Sequence, residues 1–137
     1  MRERDCVRPS IHTGSCLCGR VRLEVEGELT APDACHCRQC RKQSGHVFAS
    51  TDILRDHLRV VAGEDAITWY RSSERVRRGF CSTCGSTLFW DPLGKPRIAV
   101  AMGLFDTPTR TALDKHIFVA DQGDYYAISD DLPQHAR

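Results

Sequence analysis

Along this chain apolar positions recur every second residue far more often than at helical spacing. In RVRLEVEG, Val21, Leu23 and Val25 fall on one face and Arg22, Glu24 and Glu26 on the other, which predicts a half-buried strand. Shorter stretches of the same kind follow: APDACHC, HVFAST, LRVVAG, AITWYRS, ERVRRGF, STLFWDP, RIAVAMG, HIFVAD and DYYAIS, spaced by turn residues. SCLCG predicts a strand that ends in a tight turn at Gly19. Helical periodicity is scarce. RQCRKQSG predicts a short helical turn closed by Gly45, and residues 51–55 form a second, ambiguous helical candidate. Many short strands with frequent turns predict a mostly β domain of short antiparallel strands, as a barrel or small packed sheets. Residues 1–11 are expected to be a short N-terminal arm carrying Cys6, and residues 12–137 a single domain.

Composition narrows this picture. A chain of 137 residues fits one domain with a modest core. With 41% hydrophobic and 27% charged residues, a folded chain is expected rather than a disordered one. No apolar run approaches the roughly 18 residues of a membrane span. The first residues, MRERDCVRPSIHTG, carry charge with no apolar stretch behind it, so no secretory signal is expected and the cytoplasm is the expected location. The formal charge of +1 turns slightly negative if seven thiolates hold two zinc ions, which argues against a nucleic-acid partner.

Eight cysteines change the picture most. Without an export signal, metal binding is favoured over disulfides. Zinc–sulfur bonds of about 2.3 Å place the sulfurs of a tetrahedral site about 3.8 Å apart. A C-x-C on a strand puts both thiols on one side and can clamp a metal, as in Cys16/Cys18. FCSTCGS is a knuckle in which Cys81 and Cys84 are followed by Gly85, free to take positive φ. Together the two pairs complete a four-thiolate site expected to be a structural zinc that closes a long loop.

CHCRQC leaves Cys35, Cys37 and Cys40, three thiols without an obvious fourth partner. Three protein ligands with an exchangeable fourth position is the pattern of a catalytic zinc, and such an ion is expected to be held less firmly and only partly loaded. The alternative is a second structural site. His46 could then swing back as a fourth ligand, whereas His36 should face away from the sulfurs. His12, His57, His116 and His135 have no spacing relation to the cluster. Sulfur-rich tetrahedra also hold iron, but the spacing favours zinc.

The segments GSCLCGRVRLEV, CHCRQCRKQSG, FCSTCGSTLFW and HIFVADQGDYYAISDDLPQ together resemble the glutathione-dependent formaldehyde-activating enzymes, grouped with centromere protein V. The resemblance covers nearly all of the chain after residue 12. It implies a β-tent fold stapled by zinc, a structural zinc on Cys16, Cys18, Cys81 and Cys84, and a catalytic zinc on Cys35, Cys37 and Cys40. It also implies a carbon–sulfur lyase, S-(hydroxymethyl)glutathione synthase, which joins glutathione to formaldehyde.

The chemistry of the three-thiol site agrees with that class. Thiolate ligands make zinc a weaker Lewis acid than histidines do, so capture of a substrate thiol suits the site better than activation of water. Arg38, Arg41 and Lys42 follow the ligands and are expected to balance their charge or meet glutathione's carboxylates. Phe48, Trp69, Phe89 and Trp90 are candidates for either a pocket wall or the core, and Asp52, Asp91 and Asp106 have no assignable acid or base role. The rival to an enzyme is a non-catalytic zinc module that binds or scaffolds.

Overall fold

The computed structural model describes residues 10–137, so Cys6 and most of the expected arm lie outside the described residues. Ten strands and one α-helix follow in chain order: β1 (Ile11–Ser15), β2 (Arg22–Glu26), β3 (Asp33–Cys35), α1 (Arg38–Ser44), β4 (Phe48–Leu54), β5 (Leu58–Ala62), β6 (Ile67–Arg71), β7 (Val76–Cys81), β8 (Thr87–Pro92), β9 (Arg97–Ala101) and β10 (Lys115–Ile117). They form a three-stranded sheet, β1-β2-β5, and a seven-stranded sheet, β10-β3-β4-β9-β8-β7-β6. The domain is mostly β, as its period-two patterning predicts. All named pairs are antiparallel except β10 with β3, which run parallel with His116 opposite Ala34 and Ile117 opposite Cys35.

The inward faces of both sheets share one core. Val21, Leu23 and Val25 are buried while Arg22 and Glu26 are exposed, so β2 lies half-in as its alternation requires. Leu88, Phe89, Ile98 and Val100 bring the larger sheet to the same core. Trp69 stacks on Phe89 with ring centroids 5.9 Å apart, and Arg77 covers the ring of Trp69 at 3.7 Å from its centroid.

Three local expectations are corrected. Residues 51–55 are not helical: they lie in β4 and the 3-10 turn after it, because Thr51 and Ile53 both turn inward where β4 pairs with β9. Tertiary pairing outweighs local propensity there. DYYAIS forms no strand, since its two tyrosines are bonded to histidines of the region around α1. HIFVAD shortens to β10, because Phe118 takes φ 56° and the chain leaves the sheet into a 3-10 turn.

β1 was not legible as Ile11–Ser15. Its inward positions are His12 and Gly14, which carry no apolar signal. A Cβ on Gly14 would stand 2.7 Å from the Leu104 carbonyl oxygen, so the close approach of β1 to the segment after β9 requires glycine.

Candidate metal centre

Two turns bring the first four thiols together. Cys16 follows β1 and opens a turn closed by the bond from Gly19 N–H to its carbonyl, 3.1 Å, with Gly19 at φ 82°. The C-x-C pair therefore sits on a turn rather than on a strand. Cys81 ends β7, and the Gly85 N–H reaches back to its carbonyl at 2.7 Å with φ 81°, which gives the expected knuckle. The turns are tied together by the Leu17 N–H donating to Ser86 Oγ at 2.9 Å. Cys16 Sγ lies 3.6 Å from Cys18 Sγ, and Cys18 Sγ lies 3.9 Å from Cys81 Sγ. These separations bracket the edge of a zinc–sulfur tetrahedron, about 3.8 Å. Cys16, Cys18, Cys81 and Cys84 all have sulfurs within 4.8 Å of one another.

The second cluster joins the end of β3 to the start of α1. Cys35 is the last residue of β3, and Cys37 caps α1, its sulfur accepting from the Cys40 N–H at 3.3 Å. Gly45, at φ 91°, closes the helix through a 2.9 Å bond to the Arg41 carbonyl. A strand end followed by one helical turn is what puts Cys35, Cys37 and Cys40 within 4.8 Å of one another. Among the described residues no fourth His, Cys, Asp or Glu joins this group. His46 Nδ1 instead meets Tyr125 Oη at 2.9 Å. His36 turns away from the sulfurs, with Nδ1 on Tyr126 Oη at 2.5 Å and Nε2 on His116 Nδ1 at 2.9 Å. His116 Nε2 continues to the Asp130 carboxylate at 3.0 Å.

The three sulfurs open onto a cavity of about 420 Å³, within the range of small-molecule sites. Phe48, Trp90, Ile117 and Phe118 give it apolar walls, and Arg78, Asp33 and Asp52 give it charge. Of the aromatic candidates, Phe48 and Trp90 line this cavity, whereas Trp69 and Phe89 stack on each other in the core.

Charge is unevenly shared among the thiols. Cys40 is lowered to about 6, first by the hydrogen bond from the Cys35 thiol and then, against the cost of burial, by the Arg78 guanidinium. Cys35 is raised, as donor to Cys40 and by burial. In the first cluster Cys84 is lowered to about 5, chiefly by its hydrogen bond with Ser86. Each cluster thus has at least one thiol held below its ordinary value, Cys16 and Cys84 in the first and Cys40 in the second, and a metal ion would deprotonate the rest. Donor identity and sulfur spacing both fit zinc.

Comparison with known proteins agrees with this arrangement. The family model of the glutathione-dependent formaldehyde-activating enzymes matches residues 11–121, from β1 to the 3-10 turn after β10. The chain belongs to this family. As a family member it is similar to an uncharacterised lyase of Schizosaccharomyces pombe, 27% identical over 116 residues, which are 84% of this chain and 83% of the relative. It is 28% identical over 75 residues to a Penicillium rubens protein whose name contains "glutathione-dependent formaldehyde-activating enzyme". That match spans 54% of this chain and 39% of the relative. A solved structure of a Rhodobacter sphaeroides protein superposes with a TM-score of 0.59 at 26% identity, covering 74% of this chain and 98% of the other.

Within this family member, the basic residues expected beside the ligands follow them on α1. Arg38 and Lys42 are exposed, and neither they nor Arg41 line the cavity. Sequence reasoning did not single out Arg78, the cation that does line it, nor the Tyr126–His36–His116–Asp130 chain. Arg78 lies 38 residues from Cys40, and ERVRRGF shows only a basic strand. No helix among the described residues is long and apolar enough to cross a membrane.

Proposed function

We propose that this chain is a carbon–sulfur lyase-type enzyme that adds a small thiol, with glutathione the first candidate, to formaldehyde or a related small carbonyl. In this reading Cys35, Cys37 and Cys40 hold the catalytic zinc, and Cys16, Cys18, Cys81 and Cys84 hold a structural one. One observation carries the proposal: a three-sulfur group with no fourth protein ligand among the described residues faces a cavity of substrate size. Zinc, when bound there, would favour the thiolate form of a substrate thiol and hold it in place.

The remaining work falls to the chain. Phe48, Trp90, Ile117 and Phe118 keep the carbonyl in a largely apolar space, which limits its loss to hydration. The substrate sulfur forms a bond to the carbonyl carbon, the carbonyl π pair moves to oxygen, and the thiol proton ends on that oxygen. Nothing is oxidised or reduced. Arg38, Arg41 and Lys42 lie outside the cavity lining, so they can meet only parts of the thiol that project beyond it, such as a peptide carboxylate.

The test is Cys40→Ser. The protein should keep the zinc of the first cluster and lose both the second zinc and thiol-dependent consumption of formaldehyde. Turnover at the wild-type rate would remove the second cluster from the mechanism. A second zinc that never responds to added thiols would favour the scaffold module instead.

A further inference from the structure

Arg78 projects from β7 and is 4% exposed. Its Nη1 and Nη2 each lie 3.7 Å from Cys40 Sγ. Nη1 also donates to Gln43 Oε1 at 3.0 Å, Nη2 to Gln39 Oε1 at 3.3 Å, and Nε to Ser72 Oγ at 3.3 Å. Gln39 and Gln43 are one helical turn apart on α1 and flank Cys40, so they hold the guanidinium fork in one orientation over that sulfur. No carboxylate of the described residues pairs with Arg78.

That partner set is unusual for a buried guanidinium. Burying a cation is costly unless it meets an anion, and here every oxygen partner is neutral. Among the described residues, the one ionisable group within hydrogen-bond distance of the guanidinium is the Cys40 sulfur; Asp33 and Asp52 share the cavity but form no ion pair with it. A purely structural arginine would be expected to find a carboxylate, as Arg55 and Arg77 do with Asp91 at 2.5 and 2.8 Å. Three thiolates around a divalent ion carry one net negative charge, and a fourth thiolate adds another. The guanidinium, itself buried, would offset one of them.

We infer that Arg78 is a positioning residue of the three-cysteine centre, the buried counter-charge that would let a metal ion held by Cys35, Cys37 and Cys40 take an anionic thiol as a further ligand. Gln39 and Gln43 aim it. The inference rests on the reading of this cluster as the thiol site. It assigns Arg78 to the sulfurs rather than to a substrate carboxylate, so its effect extends to thiols that carry no other charge.

The experiment uses the full chain loaded with cobalt and titrated with 2-mercaptoethanol, a thiol without carboxylates. Absorbance changes report the cluster that has room for a further sulfur. A further sulfur one tetrahedron edge, about 3.8 Å, beyond Cys40 Sγ stands at most about 7.5 Å from the guanidinium, where a unit charge at an effective dielectric near 20 changes binding about 40-fold, so Arg78→Gln should weaken thiol uptake by about that factor. Arg78→Lys keeps the charge without the fork and should recover most of it, to within about threefold of wild type. Gln43→Glu lies on a half-buried helix position and places a carboxylate on the same guanidinium, so it should weaken uptake while Arg78 stays in place. This variant decides the matter if Arg78→Gln fails to fold. Uptake by Arg78→Gln, or by Gln43→Glu where that variant decides, at the wild-type affinity overturns the role of Arg78. A wild-type protein that binds cobalt at both clusters yet gives no thiol response overturns the thiol-site reading itself, and the role of Arg78 with it.

Discussion

Exchanging two cysteines for serines at each cluster in turn should cost unequal amounts of stability. Cys81→Ser with Cys84→Ser opens the first cluster, and Cys35→Ser with Cys37→Ser opens the second while leaving Cys40 against Arg78. Each pair contains one buried and one half-buried thiol, so the local cost of the serine hydroxyls nearly cancels between them. What differs is the loop each metal closes. Cys18 and Cys81 are 63 residues apart, and a cross-link of that span removes about 4 kcal/mol of unfolded-state entropy on the disulfide analogy. Cys35 and Cys40 enclose only a few residues already ordered by β3 and α1, for which the same relation gives about 2 kcal/mol. Mass action adds in the same direction, because four sulfurs hold zinc more tightly than three. The first double variant should therefore be about 2 kcal/mol less stable than the second, or about 6 °C lower in Tm for a domain of this size. Urea unfolding at fixed free zinc, followed by far-ultraviolet circular dichroism, measures the difference. Equal losses, or a larger loss at the second cluster, would refute the division into a structural and a reactive site.

Two further outcomes follow from other parts of the fold. Asp91 is 1% exposed and accepts from Arg55 Nη2 and Arg77 Nε, so Asp91→Ala should lower the unfolding free energy by about 3 kcal/mol in denaturant titration, with zinc content unchanged. His36 is held below its ordinary value by burial and by the neighbouring His116 and His46. A base with a depressed folded pKa binds its proton more readily when unfolded. Its contribution is therefore complete above the ordinary histidine value of 6.5 and is lost as pH falls from there towards the folded value. Stability measured between pH 7.5 and 5 should fall less steeply in His36→Gln than in wild type, and parallel slopes would show that His36 does not titrate in this window.

The grouping of the cysteines was legible because it depends on spacing along the chain. Cys16/Cys18 and Cys81/Cys84 each lie in a turn closed by a positive-φ glycine, and local geometry of that kind is written in a few consecutive residues. The same holds for α1, whose cap residue Cys37 and terminator Gly45 both belong to one short motif. β2 was legible because its alternation spans its whole length. Residues 51–55 were misread for the opposite reason: five residues cannot distinguish a turn of helix from a strand whose partner, β9, lies more than forty positions later.

By itself, then, the sequence determined the mostly β patterning, the two cysteine groups and the lack of an evident fourth ligand for the second, since each follows from neighbours in the chain. Only the tertiary structure decided which cation lies against Cys40, that His36 and His46 bond to tyrosines, and that Phe48 and Trp90 rather than Trp69 wall the cavity. These contacts join strands and loops distant in sequence. A side chain shows in its own residue type what it can do, but what it meets is set by strand order and register, and those are properties of the assembled sheets.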